Sequence, residues 1–97
     1  MSAYLIVLRK APVRDQAAMD EYQRRTRANR MPPVALQPLV IHGAIDPLEG
    51  APPDDVIVMR FDSAADARAW YESPGYQDAL AHRLEAADYQ SFIVEGL

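Results

Sequence analysis

The run Trp70-Tyr71-Glu72-Ser73-Pro74-Gly75-Tyr76-Gln77 constrains the fold more than any other stretch of the chain. A helical pattern carrying Ala67, Trp70 and Tyr71 on one face stops at Ser-Pro-Gly and resumes with Tyr76 on a new face. Proline cannot donate a hydrogen bond inside a helix but suits its first position, and a serine ahead of it is a good cap. The spacing predicts two helices docked at an angle in place of one long helix.

Four strand candidates alternate with this helical region and with one earlier helix. Tyr4 to Arg9 is β-rich and ends before Pro12. Asp15 is placed to cap a helix running to about Arg30, with Ala18, Met19, Tyr22 and Thr26 as a thin apolar stripe, and Pro32-Pro33 stops it. The second strand is expected through Leu39-Val40-Ile41-His42, continuing past a bulge at Gly43 to Leu48, with Pro47 marking it as an edge strand. Val56 to Phe61 forms the third. Ser63-Ala64-Ala65-Asp66 is a capping pattern that opens the next helix, and Tyr76, Ala79, Leu80, Leu84 and Ala87 continue at helical spacing beyond the break. Ser91 to Glu95 makes the last strand, with Glu95 closing its edge.

The order βαββαβ predicts a ferredoxin-like α+β fold, a four-stranded antiparallel sheet with helices on one face. Its 97 residues leave room for one domain, spanning 1–97, and a chain this short gains from a partner subunit. The third strand carries Ile57, Met59 and Phe61 on one side and Val56 and Val58 on the other. Helices cover only one side, so a homodimer in which the second face meets a twin sheet is expected.

Composition narrows function by exclusion. A net charge of -4 and a pI near 5.0 argue against a general nucleic-acid binder, and the absence of cysteine removes thiolate catalysis and thiolate metal sites. Arg24, Arg25, Arg27 and Arg30 fit a helix dipole, with acids toward the helix start and Asp20–Arg24 and Glu21–Arg25 spaced for ion pairs. The apolar run Ala3 to Leu8 is too short for a signal peptide or a membrane span, which points to a cytoplasmic protein without a membrane partner. No glycine-rich phosphate loop or metal-ligand cluster is present, so neither a cofactor nor a metal is expected.

Taken together, Tyr4-Leu5-Ile6-Val7, Asp20-Glu21-Tyr22, Leu48-Glu49-Gly50, Val58-Met59-Arg60-Phe61-Asp62-Ser63, the Trp70–Gln77 run and Val94-Glu95-Gly96 carry a resemblance. The chain resembles the family called domain of unknown function 1330, in the dimeric α/β-barrel superfamily of ferredoxin-like proteins. The resemblance implies a homodimer whose two sheets form a barrel, with a pocket between sheet and helices in each subunit, and no common activity. Where members of that family usually carry an Arg-Gly-Gly motif, this chain has Ile41-His42-Gly43-Ala44, so His42 stands for the arginine; Arg60 stands where an acidic residue is usual.

These two positions are the candidate catalytic pair. With Leu48 opposite Asp55, antiparallel pairing places His42 nearly opposite Phe61 and Arg60 nearly opposite Gly43, within reach of each other once a bulge shifts the register by about one residue. Histidine would serve as acid or base and arginine would hold a carboxylate or a developing enolate. Tyr22, Trp70 and Tyr76, with Tyr71, are candidates for an aromatic wall binding a small organic ligand, although their spacing also suits core packing. His82 beside Arg83 is expected to face solvent. Two classes of function follow: a cofactor-independent enzyme acting on a small organic molecule, or a non-catalytic dimeric binding or structural module.

Overall fold

The computed structural model describes residues 1–97. Its elements are β1 (Ala3–Arg9), α1 (Gln16–Ala28), β2 (Leu36–Ile41), β3 (Asp55–Phe61), α2 (Ala64–Tyr71), α3 (Pro74–Ala86) and β4 (Tyr89–Glu95). The strands form one antiparallel sheet in the order β2-β3-β1-β4. This is the ferredoxin-like arrangement, with its second helical segment broken into α2 and α3. No helix is long and apolar enough to cross a membrane.

The helix starts follow from local chemistry. Asp15 accepts from the Ala18 amide at 3.0 Å, Ser63 from Asp66 at 3.1 Å and Ser73 from Tyr76 at 3.4 Å, each satisfying a backbone donor that the first helical turn leaves free. Pro74 occupies the first turn of α3, where its missing N–H costs nothing. Gly75 is required for a different reason. A Cβ there would lie 2.1 Å from the Arg30 carbonyl oxygen, so the absence of a side chain lets the start of α3 approach the chain leaving α1.

Polar contacts fix α1 against α3. Arg25 reaches both Asp78 oxygens at 2.7 and 2.8 Å, and Asn29 donates to the Gly75 carbonyl and to Asp78, both at 2.9 Å. Hydrogen bonds from Arg24 and Arg25 push the Glu21 carboxyl down to about 2, and Asn29 and Arg25 lower that of Asp78. The pairing differs in detail from the expected one: Arg24 turns back to Glu21, and Asp20 accepts from Gln16 at 2.9 Å instead. These groups are largely exposed, so their value lies in orientation more than in stability.

Strand alternation divides the sheet into two faces. On the helix side, Leu5, Val7 and Phe61 pack with Ala67, and Trp70, Met59 and Ile57 border them. On the other side the registers Ile6↔Phe92, Ile6↔Val58 and Val40↔Val58 line up Phe92, Ile6, Val58 and Val40 in one apolar row across all four strands. Nothing in the chain covers that row, and Phe92 is 40 % exposed.

Two expectations are corrected. The second strand begins earlier than expected, at Leu36, and ends at Ile41, before His42; its irregularity falls between Pro38 and Val40, not at Gly43. The strand ends at Ile41 because His42, with a φ of 55°, lies in the left-handed region and turns the chain out of the ladder. It is thus Pro38 that sits within the edge strand, where a missing donor is tolerated. In α3, Leu84 is 55 % exposed and Arg83 takes the inward position beside Leu80, at 3 % exposure.

Candidate functional site: an aromatic cavity between α1 and the sheet

A cavity of about 490 Å³ opens between α1, the 31–36 segment, β2, β3 and the start of the α2–α3 corner. Tyr22, Trp70, Tyr76, Met59 and Ile57 form its walls, and His42 lies at its polar rim. The structure therefore brings together four of the six candidate residues, Tyr22, His42, Trp70 and Tyr76. Tyr71 is excluded: it lies against Leu5 and Ile93 by a smaller hollow of about 140 Å³ with Arg68 and Ser91.

The aromatic residues are wall and core at once. Trp70 stacks at 4.3 Å between centroids on Tyr76 and at 5.9 Å on Phe61, so it links the cavity to the hydrophobic centre. Tyr22 meets Tyr76 edge-on at 6.3 Å, and their hydroxyls are 3.0 Å apart. Tyr76 is 2 % exposed, and Tyr22 is the partner within reach of its hydroxyl. Either hydroxyl can donate to the other, so Tyr76 can donate to Tyr22 when the Tyr22 proton turns to a ligand. Burial first, then the Tyr76 hydroxyl, push the Tyr22 phenol well above its ordinary range, so it stays a neutral donor.

His42 is held from two directions. Its amide donates to the Val56 carbonyl at 3.2 Å, and its Nδ1 is 2.6 Å from Oδ2 of Asp55. An ionised carboxylate only accepts, so Nδ1 is the donor to Asp55, and in the neutral imidazole the lone pair is then on Nε2. The Asp55 side chain is mostly buried at 14 % exposure, and that of His42 is open at 57 %. A left-handed backbone costs a non-glycine residue of order 1 kcal/mol, and such conformations gather at functional sites. Asp55 was not among the sequence candidates; the signal for it was its place at the first residue of β3, on the same side as Ile57 and Met59.

Arg60 stands apart. It pairs across the sheet with Tyr4 and Gln37 and follows the alternation of Val56 and Val58, so it projects from the face opposite the cavity. From Val56, beside His42, to Arg60 is roughly 13 Å along the strand at ~3.3 Å per residue. Its guanidinium donates to Ser2 Oγ at 2.7 Å and lies 3.6 Å from Asp62. The expected His42–Arg60 neighbourhood does not form, because β2 pairs Leu36, not His42, with Phe61.

Comparisons with known proteins agree with this architecture. A protein of unknown function from Rhodopseudomonas palustris superposes with a TM-score of 0.68 at 17% identity, over 99% of this chain and 82% of that one. An ethyl tert-butyl ether D family protein from Bacillus halodurans C-125 gives 0.64 at 19% identity, with 100% of both chains covered. A protein from Bacteroides fragilis described as dimeric, of unknown function and ferredoxin-like gives 0.54 at 14% identity, over 98% of this chain and 96% of that one. At these identities the likeness is one of fold. No curated protein matches the chain in sequence. The model of the family described as Domain of unknown function (DUF1330) matches residues 2–97, and the chain belongs to that family.

Proposed function

We propose that the protein is a homodimer that takes a small, largely apolar organic molecule into the cavity of each subunit, where His42 serves as acid or base without a cofactor. The observation that carries this reading is the His42–Asp55 pair at the rim of an aromatic cavity, with His42 held at φ 55°. Asp55 orients the imidazole and stabilises the imidazolium that forms when Nε2 takes a proton. Tyr22 supplies a neutral hydrogen bond to an oxygen on which negative charge develops, such as a carbonyl becoming an enolate. Arg60 has no part in this chemistry. A pocket of a few hundred cubic ångströms lined by aromatics with a few polar tips suits a planar or apolar substrate.

Dimerisation rests on the uncovered Phe92–Ile6–Val58–Val40 row, which a second copy would bury by packing the same face against itself. That face is opposite the cavity, so the assembly leaves the helix-side site in each subunit.

The chemical half of the proposal is tested by proton exchange. A panel of small ketones is incubated with the protein in D2O and exchange at the carbon beside the carbonyl is followed by NMR. The expected result is catalysed exchange for a ketone that binds, falling about 100- to 10,000-fold in His42→Gln with the ketone still bound, the usual worth of a general base. Saturable binding with no exchange above background would instead assign the cavity to a binding module.

A further inference from the structure

Arg83 is the one polar or charged residue of the chain that is fully buried, at 3 % exposure. Its Nε and Nη1 are enclosed with no hydrogen-bond partner, and it takes part in none of the ion pairs. The guanidinium lies between two rings, 4.3 Å from the Tyr89 centroid and 5.8 Å from that of Tyr22. Aromatic faces stabilise a cation but cannot accept in-plane N–H bonds. A buried guanidinium left in this state is costly, and a carboxylate matches its fork. Arg83 is on the helix side of the sheet, so a twin subunit on the open face does not reach it.

Tyr22 connects this cation to the cavity. It is a wall residue whose ring also faces Arg83 and packs on Ala18, Met19 and Ala86, and its hydroxyl has one hydrogen bond, to Tyr76. A neutral hydrogen bond of this kind is weaker than a charge-assisted one, so a ligand that brings a carboxylate to Arg83 can displace the ring.

We infer that Arg83 is the anion-recognition group of the cavity, and that the ligand is a small carboxylic acid with an aromatic or apolar body whose carboxylate reaches the guanidinium as Tyr22 swings aside. This rests on the small-molecule reading above and adds the ligand's charge. Trp70, Tyr76 and Met59 hold the apolar body, and the carboxylate accepts from Nε or from Nη1, each of which lacks a partner.

Matched acids and amides provide the test: 2-naphthoate against 2-naphthamide, and benzoate against benzamide, titrated calorimetrically into the parent protein, Arg83→Met and Arg83→Lys. The parent is expected to prefer each acid about tenfold or more, the worth of a charge-assisted bond. In Arg83→Met the acid weakens to the level of its amide while the amide is unchanged, and Arg83→Lys keeps part of the preference. Arg83→Met is expected to melt no lower than the parent without ligand, since it removes an unpaired buried charge. Equal binding of acid and amide by the parent overturns the inference and leaves the cavity reading standing, as does an undiminished preference in Arg83→Met. Binding of none of the four probes overturns the inference as well, and the ketone exchange experiment then decides the cavity reading by itself. A melting point for Arg83→Met well below the parent's, with no acid preference in the parent, assigns Arg83 to structure.

Discussion

Val58→Asp is expected to yield a folded monomer. Val58 is at the centre of the apolar row on the open sheet face, flanked by Ile6 and Val40 on the neighbouring strands. In a lone subunit that face meets water, so an aspartate there costs little and the helix-side core is untouched. In a symmetric dimer the same substitution buries two unpaired carboxylates near the centre of one interface, and each uncompensated buried charge costs on the order of 3–5 kcal/mol. Light scattering at micromolar concentration, with circular dichroism as the check on folding, should give a dimer for the parent and a monomer of native spectrum for the variant. A parent that is monomeric at that concentration removes the dimer from the account.

Phe61→Ala should have the largest effect on stability. Phe61 is fully enclosed at 0 % exposure, packed with Leu5, Val7 and Ala67 and stacked beneath Trp70. Truncating such a ring removes its burial and leaves a cavity that close-packed neighbours fill only in part, a loss of about 3–5 kcal/mol. Denaturant unfolding measures it directly. Because Phe61 supports Trp70 from below, the variant should also bind cavity ligands more weakly even where it remains folded. A loss under about 1 kcal/mol would place the core elsewhere.

The sequence made these elements legible wherever a local rule and the hydrophobic period agreed. Ser73-Pro74 marked the α2–α3 corner because a cap and a first-turn proline coincide there, and Asp15 and Ser63 marked helix starts in the same way. Reading failed where one residue acted against its surroundings. Leu39 to Leu48 has enough apolar residues to pass for a bulged strand, but His42 adopts a left-handed conformation and ends the ladder at Ile41. That single turn displaced the register and with it the supposed His42–Arg60 pair. It also hid Asp55, whose role depends on which residue of the preceding strand faces it.

Arg83 shows the same limit in a helix. Tyr76, Ala79, Leu80, Arg83 and Ala87 follow helical spacing as well as the series with Leu84 does, but charge makes an arginine look like a surface residue. What brings it inside is a pair of rings, Tyr22 from α1, far away in sequence, and Tyr89 from the strand that follows α3. The aromatic wall was easier to identify because either role foreseen for Tyr22, Trp70 and Tyr76, packing or binding, required them on the helix side of the sheet.

A crystal structure of the protein soaked with a ketone that binds in solution tests the central claim most directly. The account predicts the molecule in the cavity against Tyr22, Trp70 and Tyr76, with one of its polar atoms within about 3.2 Å of His42 Nε2 and the His42–Asp55 bond intact. A cavity filled by its own side chains, or a ligand bound there with the His42 imidazole turned away from it to solvent, would contradict the account.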